Sequence, residues 1–188
     1  MNRSDPDPHV PSEHGINGHA SRPGPVGPAA ENKATAATRG ELLLALNELL
    51  EAERAGARVA METARDMPTS PLRSLVQDIH RDEVHWCSML MRTVKSLEGQ
   101  PSSATGAFWG KAMAIPDLQE RLRFLNRGQA WVVRRLEALL PRCPDAQVRD
   151  DLTAMLTAHH VNIDRVDMLA SAGPDAPPDG RPEGADHR

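Results

Sequence analysis

The sequence has no tyrosine, and its 188 residues include only two phenylalanines and three tryptophans. The lack of tyrosine excludes a tyrosyl radical and a tyrosine general acid. Cysteine is equally scarce, because Cys87 and Cys143 are the only two and they form no CxxC motif. Two isolated cysteines provide neither a disulfide framework nor a thiolate metal site, so we predict packed, reduced thiols.

Long apolar runs, basic runs and glycine-rich phosphate loops are also missing. No stretch reaches the roughly eighteen apolar residues of a membrane span, and the N-terminus has no apolar signal core. The net charge of −4, with arginines interspersed among acids, argues against nucleic-acid binding. We therefore expect a soluble cytoplasmic protein with neither a nucleic-acid nor a membrane partner, whose outer helix faces allow a homodimer.

The two ends of the chain are rich in proline, glycine and polar residues. Residues 1–37 and 173–188 cannot bury enough apolar surface to offset chain entropy, so we predict disordered tails. The histidines of the N-terminal tail suggest at most weak, adventitious metal affinity. The folded domain is therefore predicted for residues 38–172.

Proline clusters divide this central region into long amphipathic stretches. Because proline interrupts a helix interior, the clusters mark loops and leave four predicted helices. These helices run from about Thr38 to Arg65, Pro71 to Leu97, Pro116 to Leu140 and Pro144 to Ala172. No segment alternates β-branched and polar residues in the manner of a strand, so the fold class is predicted to be all-α.

The connection between the second and third predicted helices is unusually long. Residues 99–115 are enough to travel the length of a helix of about 40 Å, at 1.5 Å per residue. The other two connections are short, which is typical of antiparallel neighbours. We therefore predict a four-helix bundle with a long crossover between helices 2 and 3. Phe108, Trp109, Met113 and Ile115 are expected to pack this crossover against the bundle.

Each predicted helix carries a polar residue near its midpoint, on the face that is otherwise apolar. These residues are Glu53, Glu83, Asn126 or Gln129, and His159 with Asn162. Because isolated buried carboxylates are too costly to keep, the four helices should bring them together. The pattern leaves two interpretations open, a metal site and a hydrogen-bonded polar layer. Arg54, Arg58 and Arg134 are further candidates for neutralising the acids.

Three segments resemble the ferritin-like superfamily, especially bacterioferritins and rubrerythrins, over roughly residues 41–170. They are LNELLEAERAG (46–56), SLEGQP (96–101) and HHVNID (159–164). The resemblance implies a ferritin-like bundle, in a bacterial branch with a degraded di-iron ligand set. It places the family's six ligand positions on Glu53, Glu83, Trp86, Asn126, His159 and Asn162.

Only Glu53 and Glu83 keep the family residue, and His159 is a ligand type at a position where the family has Glu. A dinuclear iron site needs about four carboxylates, so we expect no complete di-iron centre.

One hypothesis is a metal-free structural or binding module, in which His159 and the amides of Asn126 or Gln129 satisfy both glutamates. The alternative is a metal-binding oxidoreductase or storage protein that holds one Fe, Mn or Zn through Glu53, Glu83 and His159, with the amides as outer support.

An Asp-x-x-His pattern, formed by Asp82 and His85, is a further candidate ligand pair, but it lies on the predicted solvent face of helix 2. The helical periodicity places this pair, and His160 on helix 4, at the surface. We therefore interpret them as exposed charged groups rather than ligands. The methionines at helical spacings are interpreted as core residues.

Overall fold

The computed structural model describes residues 35–171, and all regular secondary structure in this range is helical. The helices are α1 Arg39–Asp66, α2 Pro71–Ser96, α3 Phe108–Met113, α4 Leu118–Leu139 and α5 Ala146–Ser171, with a 3-10 turn at Leu140–Arg142. The prediction of an all-α fold is thereby confirmed for this part of the chain. No helix within it is long and apolar enough to cross a membrane.

The predicted tails fall largely outside the described residues. The exception is the segment 35–37, which was assigned to the N-terminal tail but packs on the helices. Ala37 is buried, and its amide donates a hydrogen bond of 2.8 Å to the carbonyl of Arg142. This backbone bond ties the residues before α1 to the 3-10 turn that follows α4.

Helix ends follow the capping residues in the sequence. Thr38 caps α1, accepting from the Glu41 amide at 3.3 Å, while the Glu41 carboxylate accepts from the Thr38 amide at 2.8 Å. Asp117 caps α4, which therefore begins at Leu118 instead of the predicted Pro116. Asp145 likewise accepts from the Val148 amide at 2.9 Å, so α5 begins after the predicted Pro144.

The end of α2 differs in detail from its prediction. Glu98, rather than Gly99, adopts the left-handed conformation, with φ of 53°. Gly99 instead donates its amide to the Val94 carbonyl at 2.8 Å and lies against Leu43 of α1. A Cβ at this position would overlap the Leu43 side chain, so glycine is needed here for close approach rather than for backbone twist.

Hydrogen bonds at the helix ends set the directions of the helices. Arg39, at the start of α1, donates to the Leu97 carbonyl just after α2, at 2.8 Å from Nε. Asp66, at the end of α1, accepts from Arg121 at the start of α4, at 2.6 Å. Helix α1 therefore runs antiparallel to both α2 and α4, and α2 and α4 share one direction. The segment 97–117 returns along the length of the helices.

Helix α5 packs on α2 and α4, opposite α1. The short connection 140–145 makes α5 antiparallel to α4, and Asn126 in the first half of α4 donates to Asp167 near the end of α5 at 2.9 Å. The apolar core consists of two clusters, one around Leu46 and Leu90 and the other around Val59 and Ile79. In α1 the residues between these clusters include Glu53, so a polar layer separates two apolar ends.

The segment 97–117 is anchored by aromatic contacts. The ring of Phe108 stacks on Phe124, with 4.8 Å between centroids, and lies directly over Gly128 of α4. The guanidinium of Arg58 lies 4.3 Å from the centre of the Trp109 ring. Met113 and Ile115 are half-buried in the same segment.

The three arginines considered as partners for the buried acids do not turn inward. Arg54 donates to the Ala104 carbonyl at 2.8 Å, Arg58 covers Trp109, and Arg134 is exposed. That interpretation was wrong, because the segment 97–117 offers Arg54 a carbonyl and Arg58 an aromatic partner, and Arg134 stays in solvent. A guanidinium satisfied there avoids the cost of losing its hydration.

Candidate functional site

Four polar side chains from four helices line a single cavity of about 300 Å³. They are Glu53 of α1, Glu83 of α2, Gln129 of α4 and His159 of α5. Each is at most 3% exposed. These four residues, which the sequence predicts to meet, therefore lie together in the structure.

His159 is held in one orientation by its own helix. Its Nδ1 lies 3.0 Å from the Met155 carbonyl, which places a hydrogen on Nδ1 because a carbonyl can only accept. Its Nε2 lies 3.3 Å from Oε1 of Glu53, a short distance without the alignment of a hydrogen bond. Burial lowers the pKa of His159, but the adjacent Glu53 carboxylate outweighs it, so the pKa is raised overall. A protonated His159 balances the charge of Glu53.

Glu83 lies against the one glycine in the middle of α1. Its carboxyl group fills the space beside Gly56, where a Cβ would overlap Oε2. Burial raises the pKa of Glu83 well above its ordinary value, and the nearby Glu53 and Asp82 raise it further. Burial therefore favours the protonated, uncharged form of Glu83, which lowers the negative charge of the layer.

The polar layer is not a closed hydrogen-bond network. Within residues 35–171, five of its buried atoms have no hydrogen-bond partner: Glu53 Oε2, Glu83 Oε2, His159 Nε2 and both amide atoms of Gln129. An unsatisfied buried polar atom costs about 1–3 kcal/mol. The interpretation of a self-satisfied polar layer is therefore wrong for Gln129, which bonds to neither glutamate.

The other predicted site residues lie away from the cavity. Asn126 of α4 donates to Asp167 of α5 at 2.9 Å, and Asn162 of α5 donates to Asp82 of α2 at 3.0 Å. The two amides therefore link α5 to its two neighbouring helices. Trp86 is half-buried and packs against the apolar cluster that contains Leu90. The structure thus separates these three residues, which the ferritin-like resemblance assigned to ligand positions, from the site.

Asp82 also differs from its prediction. It is half-buried and accepts the bond from Asn162, because α5 packs on this side of α2. Its neighbour His85 is exposed, and His160 is exposed with Glu137 4.0 Å away. The surface assignment is therefore wrong for Asp82 and confirmed for both histidines.

Sequence reasoning missed the mouth of the cavity. Glu48 and Glu51 of α1, Trp131 of α4 and the segment 105–108 form its outer part. The hydroxyl of Ser102 donates to Glu51, and Arg135 pairs with Glu48. A signal was present, because the small residues Ala52, Ala55, Gly56 and Gly128 lie next to the polar positions and leave space beside them.

The residues do not fit a di-iron centre. No group of three His, Cys, Asp or Glu side chains within 35–171 is arranged to hold a metal ion. Among the six positions assigned by the ferritin-like resemblance, only Glu53, Glu83 and His159 carry carboxylate or imidazole groups, and Asn126 and Asn162 are bonded elsewhere. Two carboxylates and one imidazole leave two cations with too few ligands and an excess of positive charge.

Comparison with known proteins identifies one family. A family model described as a domain of unknown function, DUF6306, matches residues 40–168. No curated protein and no solved structure matches the chain.

Proposed function

The chain belongs to the DUF6306 family, whose function is unknown, and from its own residues we propose a ferritin-like binding module. In this proposal the chain is a four-helix bundle without a complete di-iron centre, and its central cavity binds a small molecule. The supporting observation is the cavity of about 300 Å³, which reaches from the surface to buried polar atoms without partners.

The helix directions support the ferritin-like part of the proposal. Helices α2 and α4 share one direction, and the segment 97–117 connects their opposite ends. This is the topology of a bundle with one long crossover connection. The short helix α3 lies within that crossover and covers the cavity through Phe108.

The lining of the cavity supports the binding part. Small-molecule pockets of about 300–1,000 Å³ combine apolar walls with a few polar groups that orient the ligand. Here the apolar walls include Ala55, Leu125 and Val132, and the polar groups lie together at the inner end. A ligand that bonds to Gln129 and the glutamates removes the cost of leaving them unsatisfied.

A fragment screen by ligand-observed NMR on the full chain tests this proposal. Ala52 lines the cavity, and Ala45 lies two helical turns earlier on α1, equally half-buried but away from the cavity. Ala52→Leu should fill part of the cavity and weaken fragment binding, whereas the matched Ala45→Leu should leave it unchanged. Absence of any bound fragment, or equal binding to both variants, would overturn the proposal.

A second candidate, a single metal ion, is favoured by the orientation of His159. Its Nδ1 bond to Met155 leaves Nε2 directed at Glu53, the arrangement common in metal-ligating histidines. The separation of 3.3 Å falls within the roughly 3.0–3.4 Å expected between two ligands of one ion. Such an ion would take Glu53 and His159 as its ligands, because the described residues place no third His, Cys, Asp or Glu side chain to complete the group.

Elemental analysis of untagged protein, before and after incubation with Fe(II) under air, tests this candidate. About one equivalent of metal per chain would support it, provided that His159→Gln removes the metal. His160→Gln is the matched control, because this neighbour is exposed and faces away from the cavity. Metal at background level, or metal that survives His159→Gln, excludes the site.

A further inference from the structure

We propose that the ligand of this cavity is a small primary amine in its ammonium form, with an aliphatic chain. The inference rests on the proposed binding function and specifies the class of ligand. In this arrangement the ammonium group lies at the inner end, among Glu53, Glu83 and Gln129, and the chain extends along the apolar walls towards the mouth.

The number of unpartnered oxygen atoms matches an ammonium group. Glu53 Oε2, Glu83 Oε2 and Gln129 Oε1 have no partner among the described residues, and all three side chains line the cavity. Their residues are 1%, 3% and 3% exposed, so bulk water does not satisfy them. An ammonium group has three N–H donors and no acceptor, so one such group is able to bond all three oxygens.

The charge of the lining favours a cation. The described lining includes four glutamates and one histidine, and it contains neither lysine nor arginine. Glu53 and Glu83 lie at the inner end, while Glu48 and Glu51 lie at the mouth. Even with Glu83 protonated and His159 charged, the other three glutamates outnumber the single positive charge of the lining, so a cation suits it better than a carboxylate or phosphate.

The walls between mouth and inner end favour an aliphatic chain. Ala55, Leu125 and Val132 border this part of the cavity, next to Phe108 in its outer part, and none of them offers a hydrogen-bonding side chain. Trp131, which is 38% exposed, adds an aromatic face at the mouth. Each added methylene that is buried here should tighten binding by about fourfold until the chain reaches solvent.

Calorimetric titration of the full chain with three ligands of equal length tests the inference. The ligands are n-hexylamine, 1-hexanol and hexanoate, which share a chain and differ in the head group. Hexylamine should bind roughly tenfold or more tightly than hexanol, because charge-assisted hydrogen bonds are the stronger ones. Hexanoate should show no binding. Across propyl, butyl, pentyl and hexyl amines the affinity should rise with length.

Variants locate the ammonium group. Glu53→Gln keeps the shape of the side chain and removes its charge, so hexylamine should weaken roughly tenfold or more while hexanol is unaffected. Glu137→Gln is the control, because this glutamate is exposed on α4 and does not line the cavity. The comparison of the three ligands on the unaltered protein needs no variant, so it stands even when Glu53→Gln does not fold.

The outcomes separate this inference from the proposal on which it rests. Hexanol or hexanoate binding as tightly as hexylamine would overturn the amine assignment while leaving the cavity as a binding site. Hexylamine binding that is unchanged in Glu53→Gln would also overturn it. No binding of any of the three, together with an empty fragment screen, would remove both the ligand class and the binding function.

Discussion

At the scale of single residues, the contact between Gly56 and Glu83 organises the site. A glycine in the interior of a helix is less stable than alanine by roughly 1 kcal/mol, so its presence needs a reason. The reason is the carboxyl group of Glu83, which occupies the space of the missing Cβ. The glycine admits a buried acid between α1 and α2.

Gly56→Ala should therefore destabilise the protein, by about 1–3 kcal/mol, because the added methyl displaces a buried carboxyl group. Urea denaturation followed by circular dichroism measures this change. Gly40→Ala is the matched control, since it also lies in α1 but nothing lies within 4 Å of its added Cβ. Equal stability of the two variants would contradict the account of this contact.

Protonation of Glu83 predicts how stability depends on pH. The pKa of Glu83 in the folded protein lies well above 4.5, through burial and the proximity of Glu53 and Asp82. The folded state therefore holds a proton that the unfolded chain releases above about pH 4.5, and stability falls as the pH rises from there. His159, whose pKa is also raised, loses its contribution in the same direction, as the pH rises through its folded pKa.

Glu83→Gln mimics the neutral acid and should weaken this dependence. We expect the urea midpoint of the original protein to decrease from pH 5 to pH 8 and that of the variant to decrease less. The variant should equal or exceed the original in stability at pH 8, because no carboxylate has to be buried. Identical pH profiles for the two proteins would show that Glu83 is ionised in the folded state.

At the scale of the elements, α3 is the helix that depends most on contacts with its neighbours. It has six residues and no side-chain cap, so its stability comes from contacts with its neighbours. Phe108 supplies the main contact, by stacking on Phe124 and lying on Gly128. The cover of the cavity thus depends on one aromatic ring.

Phe108→Ala should loosen α3 without unfolding the long helices. Hydrogen exchange with mass spectrometric readout should show faster exchange in peptides that cover Phe108–Met113, with peptides from α2 unchanged. The α2 peptides are the internal control. Exchange in α3 that matches the original protein would mean that Trp109 and Arg58 suffice to hold the segment.

Helix ends were largely predictable, because capping residues and prolines act locally. Thr38, Ser70 and Asp117 each accept a backbone amide at the start of a long helix. Helix α3 was not predicted, since nothing in its six residues marks a start, and it forms only on the surface that α1 and α4 provide. Tertiary contact determines such a helix.

At the scale of the whole molecule, periodicity predicted which polar residues meet. The midpoint positions Glu53, Glu83, Gln129 and His159 all line one cavity, as the helical spacing indicated. The spacing also predicts Asn126 and Asn162 at this layer, but their amides donate to Asp167 and Asp82 instead. Periodicity specifies a face, and side-chain partners on a neighbouring helix decide the contact.

The cavity itself was beyond prediction from sequence, because empty space depends on how four helices and the segment 97–117 pack together. Small residues at Ala52, Ala55, Gly56 and Gly128 are compatible with tight packing as well as with a cavity. The position of Phe108 over Gly128, which borders this space, likewise depends on how the segment 97–117 packs on α4. The function we propose depends on this feature of the whole fold.

A crystal structure of the untagged full chain, with anomalous data at the iron edge, tests this central claim most directly. We predict light-atom density in the cavity, from a bound small molecule within hydrogen-bonding distance of Glu53, Glu83 or Gln129, and no pair of metal peaks. Two anomalous peaks bridged by Glu53 and Glu83 would contradict the account. So would a closed cavity in which these side chains bond only to one another.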